Sequence, residues 1–155
     1  MLGSNQGDKR QLLRQAMEKI SLQIGHIKNV SDVYSSPAWG FTDQPDFVNQ
    51  VVEIETELAP RKLLSTILDI ETALGRVRNA KWGPRIIDID ILYYGDTIIH
   101  EPGLTIPHPE IQNRRFTLVP LVEIAASFLH PSLRQSNEQL LENCEDAGEV
   151  TRLAD

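Results

Sequence analysis

The sequence predicts an α+β fold of ferredoxin-like layout, an antiparallel sheet with helices packed on it. Three observations predict it. Two amphipathic stretches with helical spacing each end on a glycine. Between and after them lie runs rich in β-branched residues. The resulting order is helix, strand, strand, helix, strand. No linker, repeat or low-complexity stretch divides the 155 residues, so a single domain spanning 1–155 is expected.

The elements follow in order. Only Met1 and Leu2 precede the turn-like Gly3-Ser4-Asn5, so the first strand that the layout requires is expected to be truncated. Asp8 to Ile24 reads as the first helix, with Leu12, Leu13, Ala16, Met17 and Ile20 on one face. Asp8 with Gln11 fits a capping box, and Gly25 fits the stop. Val30 to Tyr34 reads as a strand before the turn-rich Ser35-Ser36-Pro37, and Phe47 to Leu58 as a longer one. Pro60 suits the first turn of a second helix that carries Leu63, Leu64, Ile67, Leu68, Glu71 and Leu74 and stops at Gly75. A strand over Ile86 to Tyr94 is followed by a proline-rich stretch from Pro102 to Pro109. A short helix is expected over Leu118 to Ala126. From Ser136 the tail is polar and acidic and is expected to form a helix that frays.

Composition narrows the function classes. The net charge of -7 argues against nucleic acid, whose phosphates need a basic footprint, and against an anionic membrane surface. No apolar run approaches the ~20 residues of a spanning helix, and the N-terminus lacks a signal-peptide layout. Cys144 is the sole cysteine, which excludes an intrachain disulfide or a cysteine zinc site and predicts a reducing, cytoplasmic setting. Its place in an acidic tail points to a structural or incidental residue.

Ile86-Ile87-Asp88-Ile89-Asp90-Ile91-Leu92 is the strongest chemical signal. Aspartate is depleted in strands, yet two occur inside an apolar one. Alternation puts Asp88 and Asp90 on one face, about 6–7 Å apart, with Ile87, Ile89 and Ile91 on the other. Carboxylates so placed can hold divalent cations, and oxygen donors suit magnesium. The bland alternative is an edge strand with two solvated aspartates. Just upstream, Gly75 to Arg85 carries Arg76, Arg78, Lys81 and Arg85. Cations beside a metal site are what a polyphosphate requires, because guanidinium forks pair with phosphate oxygens. Trp82 can cover a ring. A solvated basic loop is the competing reading.

The run Lys81-Trp82-Gly83-Pro84-Arg85-Ile86-Ile87-Asp88-Ile89-Asp90-Ile91 resembles the signature of the hydroxymethyldihydropterin pyrophosphokinase family. Further marks occur in the same order: Gly3-Ser4-Asn5, Ser36-Pro37, Gln44-Pro45-Asp46-Phe47-Val48-Asn49, Glu71 with Gly75-Arg76-Val77-Arg78, and Pro107-His108 with Asn113-Arg114-Arg115-Phe116. The resemblance covers Gly3 to about Pro131. It implies a ferredoxin-like magnesium enzyme of folate biosynthesis. Such an enzyme transfers diphosphate from ATP to the alcohol of 6-hydroxymethyl-7,8-dihydropterin and releases AMP.

Residue by residue, the resemblance assigns Asp88 and Asp90 to two magnesium ions and counts them, with Arg76 and Arg85, as catalytic. Arg85, Arg78, Lys81 and Trp82 fall on the ATP side, the last three in a closing lid. Glu71, Ile91, Thr105, His108 and Arg114 join them there, with Glu71 as an orienting carboxylate. Phe47 and Phe116 match the aromatic pair that sandwiches the pterin. Asn49 matches its hydrogen-bonding edge, completed by Ser36, Pro37 and Trp39. No residue is an obvious general base; Asp90 is placed to accept a proton, but a metal-bound carboxylate is a poor base. His26, His100 and His130 carry no partner pattern. A monomer acting on pterin and ATP is expected, without nucleic acid or membrane partners. Two other readings stay open on the residues alone. One is another magnesium-dependent nucleotidyl or glycosyl transferase with an Asp-x-Asp strand. The other is a truncated relative with impaired catalysis.

Overall fold

The computed structural model describes residues 1–37, 45–75 and 86–154. Nine strands and four helices follow one another in the described residues. They are β1 (Leu2–Ser4), α1 (Lys9–Gln23), β2 (Gly25–Val30), β3 (Tyr34–Ser36), β4 (Phe47–Gln50), β5 (Val52–Thr56) and α2 (Pro60–Ala73). Then come β6 (Asp88–Ile89), β7 (Ile99–Glu101), β8 (Leu104–Ile106), α3 (Arg115–Ala125), α4 (Asn137–Glu142) and β9 (Thr151–Arg152). The main sheet has the order β6-β1-β4-β3-β9; β2 pairs with β5, and β7 with β8. Every pairing is antiparallel. The mixed α+β class is therefore the one expected.

The helices form where their caps and apolar stripes require. The Asp8 carboxylate accepts the N–H of Gln11 at 3.2 Å, satisfying one of the orphan donors at the start of α1. α1 buries Leu13, Ala16 and Ile20, and α2 buries Leu63, Ile67 and Ile70. These stripes meet Leu2, Val48, Ile87 and Ile89 from one face of the sheet. On the other face, Val51 and Leu92 pack with Leu118 and Leu121 of α3 and Leu140 of α4. Each such fully buried side chain contributes about 1.5–3 kcal/mol. Gly25 is required by close approach: a Cβ there would lie 1.9 Å from the carbonyl oxygen of Glu55.

Several boundaries differ from those the sequence suggests. The first strand is short but lies inside the sheet, between β6 and β4. Gly3 and Ser4, which read as a turn, pair with β4, and Gly3 also pairs with β6. The expected strand over Val30–Tyr34 is replaced by β2 and β3, which flank it. Ser31 interrupts them by pairing its N–H with the Val51 carbonyl at 2.9 Å, while its Oγ accepts the Val51 N–H at 2.9 Å. The same contact splits the run from Phe47 to Leu58 into β4 and β5, which join different sheets. Of the expected strand over Ile86–Tyr94, Asp88 and Ile89 form β6 against β1, and Asp90 exchanges bonds with Met1. The proline-rich stretch holds β8 and, at Gly103 with φ 77°, the turn that joins it to β7 just upstream. α3 starts three residues before the expected Leu118, which brings Phe116 into its first turn. In the acidic tail α4 ends at Glu142. Ser136 and Gln139 form a complete capping box on α4, and β9 pairs with β3. Among the described residues no helix is long and apolar enough to cross a membrane.

Candidate active site

Residues directly opposed on antiparallel strands project to the same face. Asp88 is opposite Gly3, Gly3 is opposite Asn49, and Asn49 is opposite Tyr34. These four form one row across the sheet. Phe47, two residues from Asn49, shares the face and stands opposite Ser36. The burial pattern along β6 agrees with the alternation. Ile87 and Ile89 are buried in the core, while Asp88 and Asp90 are half-buried on the other side. The sheet thus presents both aspartates, Phe47, Asn49 and Ser36 on one face.

The aspartates are anchored through the backbone beside them. The buried Glu71 carboxylate accepts the Ile89 N–H at 2.8 Å. The Ser4 hydroxyl donates to the Ile86 carbonyl. Met1 and Asp90 exchange two bonds: the Met1 ammonium donates to the Asp90 carbonyl at 2.6 Å, and the Asp90 N–H donates to the Met1 carbonyl at 2.9 Å. Burial pulls that ammonium down to about 6, against the opposing pull of Asp90. Glu71 thus holds the backbone between Asp88 and Asp90 from the α2 side.

The aromatic end is built by packing. Asn49 is buried, and its Nδ2 donates to Ser36 Oγ at 2.9 Å. Gly3 leaves room for it, since a Cβ there would come within 3.1 Å of Asn49 Oδ1. α3 packs against β3 and β4. Glu123 clamps it in place, accepting the Asp32 N–H at 2.9 Å and the Tyr34 hydroxyl at 2.5 Å. Burial, with that carboxylate alongside, pushes the Tyr34 hydroxyl up to about 12. Phe116 and Phe47 are each half-buried. The Arg114 guanidinium lies 5.7 Å from the Phe116 ring centre, a cation–π contact.

His108 connects the two ends. Its N–H donates to the Leu92 carbonyl at 2.9 Å, and its Nδ1 accepts the Glu110 N–H at 3.1 Å. That leaves Nε2 to carry the proton of the neutral ring. Burial lowers the imidazole pKa, opposed by the Asp90 carboxylate and helped by Arg114. His108 thus lies within electrostatic reach of Asp90, Arg114, the Met1 ammonium and Glu110.

Not every expected residue converges as closely. Thr105 is exposed on β8, opposite His100, on a hairpin fastened to α2 by Arg61 and Glu101 at 3.1 Å. Ile91 is half-buried against the core, and Pro37 is exposed at the end of β3. Trp39, Arg76, Arg78, Lys81, Trp82 and Arg85 lie outside the described residues. Sequence reading passed over Met1, Gly3 and Ser4 as contributors. The available signal was the run of small residues at Gly3-Ser4, whose compact side chains suit a crowded sheet interior.

The donor set fits magnesium. Asp88 and Asp90 offer hard oxygen ligands on one face. Among the described residues no cluster of three or more His, Cys, Asp or Glu side chains forms a closed cage. Magnesium bound by one or two carboxylates keeps its remaining positions for water and substrate phosphates.

Comparison with known proteins places this arrangement in a lineage. Residues 1–126 match the model of the 7,8-dihydro-6-hydroxymethylpterin-pyrophosphokinase (HPPK) family. The chain is similar to the 2-amino-4-hydroxy-6-hydroxymethyldihydropteridine pyrophosphokinase of Aquifex aeolicus, at 43% identity over 134 residues, covering 86% of this chain and 83% of that one. Similarity to the Haemophilus influenzae protein of the same name reaches 47% over 132 residues, covering 84% and 82%. Among solved structures, wild-type HPPK-DHPS of Plasmodium falciparum superposes with a TM-score of 0.72 at 17% identity, over 91% of this chain and 43% of that longer one. That last likeness bears on the fold alone. With the family model matching residues 1–126 and these relatives 43–47% identical over more than four-fifths of the chain, the chain belongs to the hydroxymethyldihydropterin pyrophosphokinase family.

Proposed function

We propose that this chain transfers diphosphate from ATP to the hydroxymethyl oxygen of 6-hydroxymethyl-7,8-dihydropterin, releasing AMP, as a step of folate biosynthesis. The alcohol oxygen bonds to the β-phosphorus. The bond from that phosphorus to the α,β-bridging oxygen breaks, and the bridging oxygen leaves with AMP.

One observation carries the site assignment: the row Asp88–Gly3–Asn49. Only a glycine separates the carboxylate from the amide, so a ring held by Asn49 presents its substituent toward Asp88. Asn49 supplies donor and acceptor for the pterin edge, beside Ser36, Pro37 and Trp39. Phe47 and Phe116 flank the ring, which contributes roughly 0.5–1.5 kcal/mol beyond area burial for each stacked pair. Arg114, stacked at Phe116, and His108, offering Nε2–H, face the nucleotide with Thr105 and Ile91. Arg76 and Arg85 bind phosphate oxygens, and Arg78, Lys81 and Trp82 cover the site and exclude water.

Two magnesium ions held by Asp88 and Asp90 would neutralise triphosphate charge. The chain's own contribution is positioning, which can supply several kcal/mol of the barrier. Glu71, Ser4 and Met1 fix the strand that bears the carboxylates. Gly3 fixes the spacing to the pterin.

The test is AMP release measured with each component omitted in turn. AMP is expected only when hydroxymethyldihydropterin, ATP and magnesium are all present. ADP as the product, or AMP formed without the pterin, would refute the assignment.

A further inference from the structure

α3 begins without a cap of its own. Its N-cap residue is Arg114, whose guanidinium carries donors and no acceptor. The first turn holds no acidic residue. Pro120 sits inside the helix and lacks the N–H that would bond the Phe116 carbonyl four residues back. The turn that carries Phe116 thus lacks an internal cap at its start and a helix bond at its end.

Support arrives from Asp146. Its Oδ2 accepts the N–H of Arg115, the first residue of α3, at 3.0 Å. Its Oδ1 accepts the N–H of Gly148 at 2.8 Å. Both carboxylate oxygens are engaged, which fixes the direction of the side chain, and negative charge is favoured at a helix N-terminus. α4 brings Asp146 there. The N–H groups of Asn137 and Glu138, at the start of α4, donate to the carbonyls of Phe128 and Ala126 just past the end of α3, both at 3.0 Å. Leu140 and Leu141 pack on the same core as Leu118 and Leu121. α4 thus runs back along α3, and the chain that leaves it at Asn143 reaches the start of α3 three residues later.

Beyond Asp146 the chain joins the sheet. Thr151 and Arg152 pair with Ser35 and Tyr34 of β3, and the Leu153 N–H donates to the Val33 carbonyl at 2.9 Å. One segment therefore ties the start of α3 to the strand that bears Ser36. Glu123 holds α3 to Asp32 and Tyr34 about two turns further along the helix. A helix held at that point alone can swing about it, and its first turn then moves most. Asp146 supplies the second point of attachment, one residue from Phe116.

We propose that Asp146 is a positioning residue for the pterin pocket: capping α3 from the segment that follows α4, it fixes where Phe116 stands relative to β3 and β4. The inference rests on the pterin pocket as proposed above. Asp146 lies outside the residues 1–126 that match the family model. It acts through Arg115 and the first turn of α3, so its loss loosens one wall of the pocket and leaves the carboxylates of Asp88 and Asp90 where β6 holds them. The pterin therefore binds less tightly, while the chemistry of the bound substrates is preserved.

The test compares Asp146→Ala, Asp146→Asn and Asp8→Ala with the wild type, by AMP release at saturating ATP and magnesium and by thermal midpoint. In Asp146→Ala the KM for hydroxymethyldihydropterin is expected to rise about fivefold, equivalent to ~1 kcal/mol, with kcat within about twofold of the wild type. Asp146→Asn keeps a carbonyl oxygen for the Arg115 N–H and is expected to restore most of the affinity. Asp8→Ala removes the corresponding cap from α1; its thermal midpoint is expected to fall with the pterin KM unchanged. An unchanged KM in Asp146→Ala overturns the proposal. So does an equal rise in Asp8→Ala, since KM would then follow stability alone. Should Asp146→Ala fail to fold, Gly148→Ala displaces the same carboxylate, because its Cβ would lie 3.0 Å from Asp146 Oδ1. It must raise the pterin KM in the same way, and an unchanged KM there overturns the proposal equally. A wild type that forms no pterin-dependent AMP would instead refute the function on which the proposal rests, and the proposal with it.

Discussion

Glu71 Oε2 accepts the backbone N–H of Ile89 at 2.8 Å, from a side chain that is 2% exposed. The acceptor sits on α2 and the donor on β6, between Asp88 and Asp90. A helix thereby sets the height of the strand that bears both candidate metal ligands, at a point where β6 pairs with β1 for only two residues.

Replacing Glu71 by alanine leaves the buried Ile89 N–H without this acceptor, a cost of about 1–3 kcal/mol. The expected result is a lower thermal midpoint and a kcat that falls more than KM rises, because the carboxylates shift while the pterin pocket stays. Glu71→Gln keeps an acceptor and is expected to recover most of kcat. Wild-type stability and turnover in Glu71→Ala would show that β6 is held by its sheet partner alone.

Gly3→Ala tests the spacing between pterin and carboxylate. The added methyl would meet Asn49 Oδ1 at 3.1 Å, tighter than a relaxed contact. Asn49 has to yield, and it is buried against Ser36. Pterin affinity is expected to fall about tenfold or more, equivalent to ~1.4 kcal/mol, while binding of ATP alone changes little. Calorimetric titration with each ligand separates the two. Equal losses for both would mean that Gly3 serves the sheet and not the pocket.

Acid should weaken the fold through two histidines, one buried and one half-buried. Burial lowers the pKa of His130 and of His108. His130 Nδ1 also accepts the N–H groups of Ser132 and Leu133, at 3.1 and 3.0 Å, so a proton there would face two donors. Below the ordinary histidine value of about 6.5, the unfolded chain binds protons that the folded chain refuses. Stability is therefore complete above that value and lost as pH falls beneath it. Thermal midpoints measured from pH 7.5 down to 5 are expected to fall for the wild type and to fall less for His130→Asn. Parallel curves would remove His130 from the acid response.

The helices were legible in the sequence because their signals are local. Asp8 caps α1 and Pro60 opens α2, where the residue types predict it. The aspartate pair was legible for the same reason, since alternation needs only three consecutive residues. The strand boundaries were not. Whether the run from Phe47 to Leu58 continues or breaks depends on Ser31, some twenty residues away, and on which neighbour each half finds. Gly3-Ser4 reads as a turn by composition, yet it pairs because β4 and β6 arrive on either side. The joining of Asp88 to Asn49 through Gly3 is likewise a property of register, which no local pattern encodes. The proposed pairing of Phe47 with Phe116 comes from the resemblance to the family and not from spacing.

The central claim is that Asp88 and Asp90 together hold divalent cations against the phosphates of ATP. Binding of a nonhydrolysable ATP analogue, titrated with and without magnesium, tests it most directly in the wild type and in Asp88→Asn and Asp90→Asn. Magnesium is expected to strengthen binding at least about tenfold in the wild type. It is expected to have no effect in either variant, while their thermal midpoints stay at the wild-type value. Full magnesium enhancement in both variants would contradict the claim.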